Sequence, residues 1–197
     1  MVLYISIILI CMAIISVLNI FCGTGFFGYT PWQVIGLVCF SVVAEIVIDL
    51  ILAGFVYILP NKWFGADVKF FCVDKKERRF YEKLGIKHWK DKVLELGAIC
   101  GFRKNKIKDG SNPEYLNRFI LESNKGIIIH ILNAILGFLV IFCIPLKYWL
   151  VISIPVAVVN AFLATLPTFI LRYNIPKLKV AMQRAIRTQK QKEAVTE

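Results

Sequence analysis

Histidine is nearly absent from this chain: His88 and His130 are the only two in 197 residues. None of the six cysteines is spaced Cys-x-x-Cys, so zinc-ligand spacing is missing as well. Cys11, Cys22, Cys39 and Cys143 lie in or beside apolar runs, and Cys72 and Cys100 lie in a basic segment. They read as reduced, packed thiols rather than a disulfide framework, and no metal site is expected. Gly-x-Ser-x-Gly, His-x4-Asp and Gly-rich phosphate-loop patterns do not occur, so no familiar catalytic signature is present. Internal repeats, heptads and low-complexity tracts are lacking too.

Charge is missing from long stretches. Outside residues 61–126 and 172–197 there is one base, Lys147, and two acids, Glu45 and Asp49. With a hydrophobic fraction of 58%, such a distribution lies outside soluble norms and within membrane ones. Residues 2–21 contain no charged residue and are long enough to span a bilayer. No Lys or Arg precedes them and no small-x-small site follows, which favours a transmembrane helix over a signal peptide. A short uncharged turn with Gly23, Gly25, Gly28 and Pro31 leads to a second apolar run, residues 32–59, ending at Pro60. Residues 127–144 and 149–171 form a third and a fourth, joined through Pro145 and Lys147 as an antiparallel hairpin. Pro155 and Pro167 are expected to kink the fourth.

The expected fold is therefore an all-α membrane protein. Four transmembrane helices carry a basic, partly helical cytoplasmic insertion between the second and third. The parts are a first hairpin (1–60), the insertion (61–126), a second hairpin (127–171) and a basic tail (172–197). The insertion holds 16 Lys and Arg against 9 Asp and Glu, and the tail 7 against 2, out of a net charge of +11. Four spans put both on one side, and their basic charge makes that side the cytoplasm, with both termini inside the cell membrane. The same charge suits anionic phospholipid headgroups. No helix-turn-helix, finger or stacking motif accompanies it, so no nucleic-acid partner is expected.

Within the insertion, residues 75–84 read as a short helix with Phe80, Tyr81 and Leu84 on one side, stopped at Gly85. Ile86, Trp89, Val93 and Leu96 recur at spacings of three and four, with lysines interleaved. That pattern suits a surface helix with Trp89 at headgroup level, and equally ordinary packing against neighbours. Residues 97–111 read as loop. Asn112 and Pro113 then form a helix start, cap and first position, that delivers Glu122 to the membrane.

Chemistry concentrates where the insertion meets the third apolar run. Glu122 precedes that boundary and His130 lies inside it, with Asn124, Lys125 and Gly126 between them to cap, break or bend the helix. An ionisable group entering lipid is costly, so His130 either serves a function or snorkels its ring to the headgroup layer. A neutral imidazole there suits a general base aimed at a hydroxyl. Glu122 would orient it as in a carboxylate–histidine pair, but eight positions of unbroken helix separate the two by about 12 Å. The direct pair thus requires a chain break near Gly126. Arg172, at the end of the fourth run, shares the expected interface with His130, Trp89, Lys90 and Lys92. Together they suit an amphiphile with an anionic head and a lipid tail. Glu45 and Asp49, at i and i+4, read either as a polar pocket or proton relay, or as interhelical hydrogen bonds to Asn133 or Asn160.

Pro60-Asn61-Lys62-Trp63-Phe64, Trp89-Lys90-Asp91-Lys92-Val93, the Glu122 and His130 pair, and Arg172-Tyr173-Asn174 before Pro176-Lys177-Leu178 occur in this order. Over roughly residues 60–190 the chain resembles the glycosyl-4,4'-diaponeurosporenoate acyltransferase family of staphyloxanthin-type carotenoid synthesis. The resemblance implies transfer of a fatty acyl group, from a CoA thioester, to a sugar hydroxyl on a glycosylated lipid. Acyl-CoA and the lipid or glycolipid acceptor are then the expected partners, and no cofactor is needed. The resemblance carries over no catalytic residues; the chemistry of the residues themselves assigns catalysis to His130, with Glu122 its orienter or a structural partner, and substrate binding to Trp89, Lys90, Lys92, Arg172, Tyr173 and Asn174. Residues 2–21 and the Glu45–Asp49 pair have no counterpart in the resemblance. That leaves the acceptor open between a carotenoid glycoside and another glycolipid. Two other readings are a non-catalytic membrane protein binding anionic lipid or a protein partner through the basic insertion, and a small transporter using Glu45 and Asp49.

Overall fold

The computed structural model describes residues 2–28, 30–90, 93 and 109–196. Among them there is no strand, and six α-helices organise the chain: α1 (Val2–Phe27), α2 (Pro31–Ile58), α3 (Lys75–Lys83), α4 (Ile86–Trp89), α5 (Pro113–Leu136) and α6 (Ile154–Thr196). Four helical stretches are long and apolar enough to cross a membrane: Ile5–Cys22, Pro31–Ile58, Pro113–Cys143 and Leu146–Ala194. The chain divides into two compact units. One comprises Met1–Tyr57 with Ile129–Leu166, the other Ile58–Ile128 with Pro167–Glu197, so α5 and α6 contribute to both.

The first unit is mostly apolar, both in its core and on its surface. Ile15, Val34, Val38, Ile144, Tyr148, Ile152 and Val156 form its buried cluster. Side chains such as Phe21, Leu50 and Leu150 stand more than 60% exposed, which suits a lipid surround better than water. The turn between α1 and α2 is shorter than expected. Helix α1 runs through Gly23 and Gly25 to Phe27, and the chain reverses at Gly28, whose φ of 64° favours glycine. Thr30 and Gln33 cap α2 reciprocally: each backbone N–H donates to the other's side-chain oxygen, at 3.2 and 3.4 Å, with Pro31 at the first helical position. Asn19, buried in α1, donates to the carbonyls of Ile15 and Val151 at 2.8 and 2.7 Å.

In the second unit Asp74 caps α3 by accepting from the Glu77 N–H, and α3 gives way at Gly85, again left-handed with φ 66°. Tyr81, Ile86, Ile170 and Tyr173 form the buried cluster, flanked by Val73, Trp89, Val93 and Phe169. Asn112 Oδ1 accepts from the N–H groups of Glu114 and Tyr115 at the start of α5, as its position before Pro113 suggests. Of the expected second insertion helix, Ile86–Trp89 is seen; residues 91–92 and 94–108 lie outside the described residues.

One expectation is corrected, and one open alternative is decided. The five described cysteines are free, but Cys22, Cys39, Cys72 and Cys143 are exposed rather than packed, three of them on apolar stretches with outward faces; Cys100 lies outside the described residues. Nor does the chain break at Asn124–Gly126. Helix α5 continues because its polar side chains find partners that do not compete with its own N–H groups. Ser123 donates to the Phe119 carbonyl at 2.8 Å and Asn124 donates to the Phe64 carbonyl at 2.9 Å.

Candidate active site

Four short stretches with little in common as sequence meet within the second unit. The first is the single 3-10 turn Asn61–Phe64, which presents the Phe64 carbonyl and ring. The Asn124 side chain, fully buried on α5, donates to that carbonyl, and Lys125 Nζ lies 5.8 Å from the Phe64 ring centroid. Ser123, Asn124 and Lys125 are all at most 5% exposed, an unusual run of buried polar residues in the middle of a helix. The Asn124 Oδ1 atom has no protein hydrogen-bond partner.

Arg172 on α6 anchors the second meeting point. Its Nη2 donates to Glu77 Oε2 at 3.0 Å, its Nε donates to Glu77 Oε1, and its Nη1 donates to the Phe70 carbonyl at 3.0 Å. The guanidinium also stacks over the Phe70 ring, 5.5 Å from its centroid. Tyr81, one turn along α3, donates its hydroxyl to Glu77 Oε1 at 2.6 Å. Arg172's hydrogen bonds hold the Glu77 carboxyl below its ordinary range, although burial opposes this. Burial, then the hydrogen bond to Glu77, pushes the Tyr81 hydroxyl upward.

Tyr173 follows Arg172 and turns into the core at 1% exposure, with Lys177 Nζ 4.5 Å from its ring centroid. Its hydroxyl is buried without a protein partner. Trp89 Nε1 donates to the Leu84 carbonyl at 3.1 Å while its ring flanks the Tyr81–Tyr173 cluster, so packing is part of its role. Lys90 and Asn174 are half-buried in this unit. Lys92 lies outside the described residues.

Glu122 and His130 are both half-buried on α5, which is unbroken between them. Eight positions of helix keep them about 12 Å apart along the axis, so Glu122 does not orient the imidazole directly. Glu45 and Asp49 belong to the first unit, where the Asn160 amide donates to both, to Asp49 Oδ1 at 3.5 Å. The interhelical partner is thus Asn160, one of the two the sequence offered.

Glu77 and Asn124 were not singled out by sequence reasoning. The signal for Glu77 was its i,i+4 spacing to Tyr81, combined with Arg172, a base at the end of an apolar run. Asn124 was noticed only as a helix breaker. A cleft of about 570 Å³ also lies in this unit, lined by residues that include Ser111, Asn112, Arg184, Thr188 and Lys192. It includes none of the side chains expected at a site.

An all-helical protein with four membrane-length helices and a basic unit built on paired, buried polar groups is the class these features define. Residues 60–184 match the glycosyl-4,4'-diaponeurosporenoate acyltransferase family, and the chain belongs to that family. Among curated proteins and among solved structures nothing matches the chain. The matched stretch includes the Phe64, Trp89, Asn124 and Arg172–Asn174 elements, and it begins after α1 and α2.

Proposed function

We propose that this protein is a membrane O-acyltransferase that moves a fatty acyl group from acyl-CoA to a sugar hydroxyl of a glycosylated lipid, with a glycosyl carotenoid as the acceptor. The observation that carries this reading is the family match over residues 60–184, a stretch in which Asn124 bonds the Phe64 carbonyl and Arg172 the Phe70 carbonyl. In the reaction, His130 takes the proton of the sugar hydroxyl as its oxygen attacks the thioester carbonyl. The carbon–sulfur bond breaks, an ester forms, and the proton passes to the departing CoA thiolate. Lys90 and Lys92 hold the donor's phosphates, and Trp89 sets depth at the interface. Arg172, already engaged by Glu77 and Phe70, acts as a clamp that positions Tyr173 and Asn174. Glu122 is a structural partner on α5. Both basic stretches face the cytoplasm, the side on which an acyl thioester is available.

Mass spectrometry of lipids from cells with and without the gene tests this without a prior guess at the acceptor. The expected result is a glycolipid heavier by one fatty acid less one water, only where the gene is present. Unchanged lipid profiles with the protein expressed and membrane-bound would favour the alternative, a non-catalytic binder of anionic lipid.

A further inference from the structure

The first unit contains a polar seam that the proposed reaction does not use, and part of it lies before the family match. On α2, Ser41, Glu45 and Asp49 follow one another at four-residue intervals and so share a face. Glu45 is 4% exposed and Ser41 fully buried. Gly137, just past the end of α5, lies against this face: a Cβ built there would meet Glu45 Oε1 and Asn160 Nδ2, the latter at 2.8 Å. Asn133 stands one turn before Gly137, on the same side of its helix, and is 6% exposed. Asn160 comes from α6, with Ser153 two turns earlier and fully buried.

The hydrogen-bond inventory of this seam does not close. Asn160 supplies one amide group to two carboxylates. Glu45 Oε2, Asn133 Oδ1, Ser41 Oγ and Ser153 Oγ are buried without a protein partner. Two of these atoms are acceptors and the other two can accept. The groups facing Glu45 are Asp49 on its own helix, the Asn160 amide and Gly137; among the described contacts none is a base. Two carboxylates among apolar helices require a counter-charge, because an uncompensated buried anion costs several kcal/mol. A species that satisfies oxygen acceptors and supplies positive charge among closely packed side chains is small and hard.

We propose that this seam binds a small monovalent cation, a proton or a sodium ion, between Glu45, Asp49 and Asn133. The two sources separate in one experiment on the purified full-length protein in detergent micelles. Thermal unfolding is followed in sodium, potassium and choline chloride at equal ionic strength, between about pH 5 and 9. If sodium is the ligand, the unfolding temperature climbs with sodium and not with choline. Each tenfold rise in sodium above its dissociation constant then adds about 1.4 kcal/mol. If a proton is the ligand, the folded state holds a proton that the unfolded chain releases. Stability then falls as pH rises, whichever salt is present. Either dependence should vanish in Glu45→Gln, which keeps shape and removes the charge. Should that variant fail to fold, Asn133→Ala is expected to weaken the dependence at least severalfold. A wild-type protein indifferent to both cation and pH overturns the proposal, as does a folded Glu45→Gln or Asn133→Ala protein that keeps the full dependence.

Discussion

In the basic unit the Glu77 carboxylate meets a guanidinium and a phenol, whereas in the apolar unit Glu45 meets an amide, a glycine and a second carboxylate. The first carboxylate is paired in charge and in hydrogen bonds, whereas the second has one amide donor, an oxygen left without a protein partner, and no counter-charge among the described contacts. Paired groups of the Glu77 kind fix local structure: Arg172 ties α6 to α3 and to the turn at Phe70. Unmatched groups of the Glu45 kind cost stability and are informative for that reason. Buried charge in this chain thus has two roles, and partners rather than burial distinguish them.

The strongest way to break the comparison is to remove the clamp. Arg172→Ala leaves Glu77 partly buried without its cation and is expected to destabilise the protein by about 2–3 kcal/mol. Hydrogen exchange should rise in residues 69–89 and 167–179 and stay unchanged in α2. Equal loosening of α2 would show that the pairing is not local to the basic unit. Arg172→Lys should recover only part of the loss, because an ammonium cannot reproduce the two parallel bonds to Glu77.

A smaller effect is expected in the apolar unit. Gly137→Ala places a methyl against the ends of Glu45 and Asn160, and overpacking of this kind costs about 1–3 kcal/mol. Its hydrogen-exchange signature should fall on α2 and the first turns of α6, and not on α3. A neutral outcome by thermal unfolding would mean that the seam has slack, which would weaken the case that it holds a closely fitted ion.

The apolar seams and the two basic stretches could be read from the sequence because each rests on composition over many residues. The helix start at Asn112 and the stop at Gly85 were legible from single residues whose backbone preferences are strong. The continuity of α5 was not. Asn124, Lys125 and Gly126 in a row resemble a helix end, and only the Phe64 carbonyl, sixty residues earlier, explains why the helix persists. Of the candidate site residues, Trp89 does flank Tyr173 in the basic unit, but Glu77, the partner of Arg172, sits in a stretch of alternating charges where no single acid stands out.

The smallest expected effect is one of pH. The Glu77 carboxyl is held below its ordinary value in the folded state, so its contribution is fully present above the unfolded value near 4.5 and is lost as pH falls through the folded one. Hydrogen exchange in α3 should therefore quicken on acidification below that range, and Glu77→Gln should abolish the change. An α3 that loosens equally in the variant would assign the effect to other carboxylates.

The most direct test of the account is acyl transfer by purified protein, comparing His130→Gln with His88→Gln. The variant at 130 keeps size and polarity but cannot take the hydroxyl proton, and a positioned imidazole contributes about 10²–10⁴-fold. The account predicts that His130→Gln cuts turnover at least roughly a hundredfold while glycolipid binding changes little, since the imidazole acts in the transition state. His88, exposed among lysines on α4, should tolerate the same change with near-normal turnover. Near-normal transfer by His130→Gln, or a lethal His88→Gln, would contradict it.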